Sequence, residues 1–191
     1  MLSCLKTKMI KSLKQKNKGF TLVETLVAIS IFSLSIIATM SVLGSGISDT
    51  GYAKKKMIAG YLAQEGIEYV RNMRDTSVLY HPGGSQAGWN AFMGQMAPCD
   101  ITNNPSKACY FDDQISLTDC GGSCPTLLYD SSTGKYNYSS GQDSGYIRKI
   151  QIIDVNGTQD EKRVLSTVIW PQGSGIHTIV FSENIFNWTE L

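Results

Sequence analysis

The sequence predicts an α+β fold in which one long N-terminal helix lies against an antiparallel sheet and a disulfide-pinned loop joins the two. Three observations predict it. Phe20 to Leu43 form an apolar run broken by a single charge, and helical spacing of apolar residues resumes beyond Thr50. From Thr126 onward, apolar residues alternate between turn signals. The order helix, loop, meander places the helix on one face of the sheet.

At 191 residues the chain has room for one ordinary domain and an appendage. Its net charge of +1 conceals an uneven distribution. Lys6, Lys8, Lys11, Lys14, Lys16 and Lys18 precede Phe20, and no acid does. Without residues 1–19, 11 basic residues face 16 acids, a net charge of −5. The bulk of the protein is mildly acidic and carries no basic stripe, so no nucleic-acid binding is expected.

The 24 residues from Phe20 to Leu43 contain one charge, Glu24. A helix of that length spans about 36 Å, enough to cross a hydrocarbon core of roughly 30 Å. Its serines and threonines can return their hydroxyls to the helix backbone. A cleavable secretory signal has a shorter apolar stretch ending at small residues, and this run fits neither feature. The lysines place residues 1–18 in the cytoplasm and the rest of the chain on the far side of the membrane.

Glu24 needs an explanation, because a carboxylate in lipid costs about 2.5 kcal/mol or more near the midplane. It either lies within one turn of the surface and is hydrated, or it has a partner. A cut between Gly19 and Phe20 would create an α-amino group on Phe20, one helical turn from Glu24. The carboxylate of one subunit could then neutralise the amine of a neighbour in a bundle of apolar helices.

The stretch Lys18-Gly19-Phe20-Thr21-Leu22-Val23-Glu24, followed by the apolar run, resembles the processing site of type IV prepilins and pseudopilins. The resemblance implies that a membrane prepilin peptidase cuts after Gly19, removes residues 1–19 and methylates the new N-terminus at Phe20. It implies that Glu24 serves assembly by pairing with a neighbouring subunit's N-terminus. Many major pilins carry a proline in the second half of this helix. Here no proline lies between Phe20 and Tyr80, and Gly44 and Gly46 are the nearest weak points.

Residues 20–43 are thus expected to form the transmembrane and assembly helix. Residues 44–76 are expected to form an amphipathic helix on the head. In "YAKKKMIAGYLAQEGIEYVRNMRD", Ile58, Tyr61, Leu62, Tyr69 and Met73 define one face, and Gln64, Glu68, Arg71 and Asp75 lie off it. The helix should reach about Asp75 and loosen at Gly44–Gly51. Gly60 and Gly66 either let a sheet come close or merely lower the stability of the helix. The stretch "EGIEYVRNMRD" also resembles the corresponding part of minor pilins.

Residues 77–125 lack sustained periodicity and read as a Cys-rich loop region, with "HPGGSQAGWN" as plain loop. Cys99, Cys109, Cys120 and Cys124 fall in it, while Cys4 lies in the leader. An even, clustered set beyond a membrane segment points to disulfides, and the spacing does not match a zinc ribbon or finger. Of the three pairings, the most local joins Cys99 to Cys109 and Cys120 to Cys124.

Residues 126–191 should form the antiparallel sheet. "TLLYDSSTGKYNY" reads as a hairpin with Tyr136 and Tyr138 alternating. Turn chemistry accounts for Asp130 better than a calcium loop, because the acidic ligand set is incomplete. A strand from Tyr146 to Val155 follows, suggested by Ile150 and Ile152 and less cleanly by Ile147, and Asn156-Gly157 starts the next turn. "RVLSTVIW" should end before Pro171, and "IHTIVFSENIF" is the last strand.

No nucleophile elbow, zinc-protease, Walker or dinucleotide motif is present. Asp112 and Asp113 read as solvated neighbours and His177 as a packed or surface histidine. The sequons at Asn137, Asn156 and Asn187 are short enough to arise by chance. The expectation is a non-enzyme with no cofactor and no metal. Its partners are a prepilin peptidase, other pilin subunits met through the N-terminal helix, and the inner membrane before assembly. Its place is the inner membrane as a single-pass protein with a cytoplasmic N-terminus and external head, and then a pilus. The expected role is a structural subunit, more specifically a minor pilin. The alternatives are a type II secretion pseudopilin or an uncleaved anchored binding or sensor domain. What the head binds is not specified by any motif.

Overall fold

The computed structural model describes residues 19–112, 115–155, 157 and 160–188. The leader lysines, Cys4, Asp113 and Asn156 lie outside the described residues. The chain forms two compact units, Met1–Ser48 and Asp49–Leu191. The fold is α+β: a long N-terminal helix with an apolar first part, an antiparallel sheet, and disulfides in the head.

Helix α1 runs Leu22–Tyr80. It passes Gly44–Gly51 without a break, where loosening was expected. A glycine lowers helix stability but keeps its N–H, so the ladder of hydrogen bonds survives where a proline would interrupt it. The helix also ends five residues beyond Asp75. His81 precedes Pro82, and the residue before a proline is pushed out of the helical region.

In the first unit every described side chain is exposed, including all the apolar residues from Phe20 to Leu43. Among the described residues α1 is the one helix long and apolar enough to cross a membrane. Hydroxyls along it return to the backbone: Ser30 donates to Leu26 O at 2.8 Å, Ser35 to Ile31 O at 2.9 Å and Thr39 to Ile36 O at 2.9 Å.

In the second unit α1 buries Ala59, Leu62, Ala63, Ile67 and Val70 in the two clusters shared with the sheet, Gly66 beside Ile150, and Val78 beside Gly88. The observed stripe is rotated from the expected one. Leu62 lies at its centre and Ile58, Tyr69 and Met73 at its margin, while Tyr61 is exposed. The small residues decide the rotation, because a helix can approach a sheet closely only along Ala59, Ala63 and Gly66. A Cβ on Gly66 would stand 2.7 Å from Ile150 Cδ1, whereas one on Gly60 would meet nothing within 4 Å.

The region read as a Cys-rich loop is largely structured. It contains α2 (Ser85–Met96), a 3-10 turn at Ala97–Cys99, β1 (Cys109–Asp112) and β2 (Ile115–Asp119). Trp89, Phe92 and Met96 form the buried face of α2 at helical spacing. Gly88 lets α2 touch α1, since a Cβ there would lie 2.8 Å from Val78 Cα.

Among the described residues the sheet has seven strands. β3 (Thr126–Asp130) and β4 (Lys135–Asn137) form the first hairpin, followed by the long strands β5 (Gln142–Asp154), β6 (Glu161–Gln172) and β7 (Gly175–Phe186). β5 is central: β1 and β3 pair along one edge and β6 along the other, and β7 continues beyond β6. All these pairings are antiparallel, and because side chains alternate along a strand β5 turns Tyr146, Arg148, Ile150 and Ile152 inward. Ile147 belongs to the opposite face and is half-buried.

β6 runs through Pro171 instead of stopping before it. Pairing with β5 ends at Ile147 and Ile169, and Pro171 opposes Ile176 of β7. With the hairpin loop of Gly173 and Ser174, Pro171–Ile176 is a non-hydrogen-bonded pair. The proline nitrogen therefore faces the side on which no ladder bond is needed.

Candidate functional site

Two places carry the residues to which the sequence reading gives roles. The first is the start of α1. Gly19 and Phe20 precede the helix, and Phe20 is 81% exposed. Thr21 is the N-cap and Glu24 stands three residues on. Thr21 N–H and Thr21 Oγ1 both donate to Glu24 Oε2 at 3.1 Å, and Glu24 N–H donates to Thr21 Oγ1 at 3.2 Å. This is a reciprocal capping box, which satisfies backbone donors that a helix start leaves free. Its signature, Thr-x-x-Glu ahead of an apolar run, is legible in "TLVE". The negative charge also lies at the positive end of the helix dipole.

Glu24 is therefore held toward the N-terminus by its own chain. One carboxylate oxygen, Oε1, is free of these bonds and remains open to a cation. The surroundings are exposed apolar side chains: Leu22, Val23, Leu26 and Val27. A carboxylate presented on such a surface has the chemistry to pair with an amine brought in by another apolar helix.

The second place is the cysteine-bearing part of the head. Cys99 is bonded to Cys109, tying the 3-10 turn to β1, and both are fully buried. Cys120 is bonded to Cys124 and closes the turn between β2 and β3. Lys149 Nζ donates to Gly122 O within that turn at 2.6 Å.

Asp112 departs from the sequence reading. It is buried and accepts the Tyr138 N–H at 3.1 Å. Asp130 serves its own turn: its Oδ1 accepts the Ser132 amide at 2.8 Å and the Ser132 hydroxyl at 2.6 Å, bonds that hold its carboxyl below the usual carboxylate range. His177 is half-buried, its ring centroid 5.6 Å from that of Trp170 and 5.0 Å from that of Tyr52.

Arg148 was missed altogether because it occupies an inward position in a run of isoleucines. It is buried, and its guanidinium donates to Glu65 Oε2 at 2.5 Å and to Phe111 O at 3.2 Å. It lies 3.9 Å over the Phe111 ring, whose other neighbour Tyr69 stacks at 3.8 Å. The cation thereby links α1 to β1 from inside the core. Among the described residues no group of three or more His, Cys, Asp or Glu is gathered to hold a metal ion.

The family model described as "Prokaryotic N-terminal methylation motif" matches residues 14–40, which span Gly19, Phe20, Glu24 and most of the apolar run. The chain is also similar to the type II secretion system protein I of Vibrio cholerae serotype O1. The two are 26% identical over 117 residues, covering 61% of this chain and 96% of that protein. This chain is type IV pilin-like.

For a pilin-like protein the motif implies processing by a prepilin peptidase and assembly with other pilin subunits. The apolar helix carrying the motif fits a membrane-anchored pilin-like subunit. No solved structure matches the chain.

Proposed function

We propose that this pilin-like protein is a minor structural subunit of a type IV pilus-class fibre, drawn from the inner membrane after a peptidase cuts between Gly19 and Phe20. Phe20 then carries the N-methyl group, and Glu24 pairs with the ammonium of a neighbouring subunit's Phe20. The observation that carries this reading is the capping box at the start of an exposed apolar helix: it aims a carboxylate at the place where the new amine arises. The N-terminus faces the cytoplasm before assembly and the head lies outside. The role is structural, and no catalytic constellation enters it.

A second reading is favoured by the similarity to a type II secretion system protein I, which extends over 96% of that protein. On that reading the fibre is a pseudopilus and the subunit serves export. Deletion of the gene, complemented in trans, separates the two. Loss of surface fibres with normal export supports a pilus subunit, and loss of export with normal fibres supports a pseudopilin. A deletion that changes neither contradicts both.

A further inference from the structure

β7 is the last strand on its side of the sheet. It pairs with β6 along 12 consecutive residue pairs without a register shift, and among the described residues no strand pairs with its other edge. Natural edge strands are usually short, bulged, or marked by lysine or proline. This one is 12 residues long and contains no lysine, arginine or proline. Ile176, Val180, Phe181 and Phe186 on it are exposed.

The hairpin fixes which backbone groups face outward. Gln172 and Gly175 flank a two-residue loop, so they form a hydrogen-bonded pair and the pairing alternates from there. At the far end Asn187 N–H donates to Asp160 O at 2.8 Å, in the same parity. The N–H and C=O groups of Ile176, Thr178, Val180, Ser182, Asn184 and Phe186 therefore point off the sheet. Such a row is complementary to an extended backbone.

Beside this edge lies a groove of about 410 Å³, lined by Gln64, Ile67 and Glu68 of α1 and Val180, Phe181, Ser182 and Glu183 of β7. Ile67 and Phe181 give it an apolar lining for the inward side chains of an added strand. Glu68 and Glu183 share one guanidinium, that of Arg71. The rim is thus one negative charge in excess.

We infer that the open edge of β7 is a strand-addition site for an extended segment of a different protein subunit, alternately apolar and carrying a basic residue that meets Glu68. A second copy of this chain does not fit. β7 has no Lys or Arg, β2 carries only an acid, and β4 is three residues long. The reading of the chain as a fibre subunit supplies the partner's class; the edge itself stands on the sheet geometry.

Single-amide hydrogen exchange tests this on the full chain, in membranes from cells making the complete set of neighbouring subunits and again after dissociation in detergent. The even-numbered amides from Ile176 to Phe186 should exchange at least about 10-fold more slowly in the membrane sample, with the odd-numbered ones unchanged. Equal exchange in both samples overturns the inference. Protection arising in the purified chain alone overturns it in favour of a second copy. The double variant Val180→Pro/Ser182→Pro removes only outward-facing donors, so it should keep wild-type thermal melting and lose the protection. A folded variant that keeps the protection at the remaining even-numbered amides contradicts the site. The N-terminus of the same sample reports separately on the pilin-like account: Phe20 with an unprotected edge removes the edge alone, and Met1 with a protected edge removes the processing alone.

Discussion

Thr21 and Glu24 satisfy one another at the start of α1, each accepting the other's backbone N–H, at 3.1 and 3.2 Å. The same carboxylate thus caps its own helix and is the group proposed to meet a neighbour's amine. The two uses can be separated, because a glutamine caps a helix as a glutamate does but carries no charge. Glu24→Gln should keep the helix start and fail in assembly to the same degree as Glu24→Ala. Incorporation into fibres, measured against the membrane level of each variant, checks this. A Glu24→Gln variant that assembles normally would assign the residue to capping alone.

Neither change at Glu24 should alter the head. The second unit begins at Asp49, 25 residues along the chain, so thermal melting followed at the buried Trp89 and Trp170 should coincide with wild type. A shift of several degrees would contradict the independence of the two units.

Gly66 and Gly60 lie six residues apart in one helix and should respond oppositely to alanine. At Gly66 the new methyl would overlap Ser166 and Ile150, and the overpacking should cost about 1–3 kcal/mol. At Gly60 it meets open space and should stabilise by roughly 0.5–1 kcal/mol through helix propensity. Urea denaturation of the two variants measures both signs.

These glycines show how far the sequence could be read. The apolar run, the hairpin and the long strands were legible because their periods persist over many residues. α2 was not, since Gly83, Gly84, Gly88 and Gly94 gave "HPGGSQAGWNAFMGQM" the look of a loop. The spacing of Trp89, Phe92 and Met96 was the signal that could have found it. Arg148 was hidden for a different reason: burial of a cation depends on Glu65 and Phe111, which lie 83 and 37 residues away. At the start of α1, the residue types were legible and the bond between Thr21 and Glu24 was available in the spacing.

Removing the Arg148 side chain should be far more damaging than removing its partner. Arg148→Ala leaves a cavity against Phe111 and an unpaired carboxylate, and should cost about 3 kcal/mol. Glu65 is half-exposed, so water replaces part of its role and Glu65→Ala should cost about 1 kcal/mol. Similar losses for the two would contradict the packing role given to the guanidinium.

Alkaline pH should destabilise the head through Tyr146, which is buried, and through the half-buried Tyr136 and Tyr138. Burial, and then the neighbouring Tyr136, push Tyr146 up to about 12, and burial also raises Tyr136 and Tyr138. An unfolded tyrosine ionises near pH 10. Between pH 10 and 12 the unfolded chain therefore holds fewer protons than the folded one, so stability is fully present below pH 10 and falls as pH rises. Tyr146→Phe should make that decline shallower, at the loss of the bond from Tyr146 Oη to Lys55 O at 3.2 Å. Melting temperatures across this range give the slope, and an unchanged slope in the variant would remove Tyr146 as a contributor.

Processing between Gly19 and Phe20 is the step on which every later role of the N-terminal helix depends, and mass spectrometry of the N-terminal peptide of the membrane-extracted protein tests it most directly. The expected result is a chain that begins at Phe20 and carries one N-methyl group. It should give way to the uncut form in Gly19→Val, where a branched side chain crowds the scissile bond. A native chain that still begins at Met1, or a Gly19→Val variant that matures normally, would contradict the account.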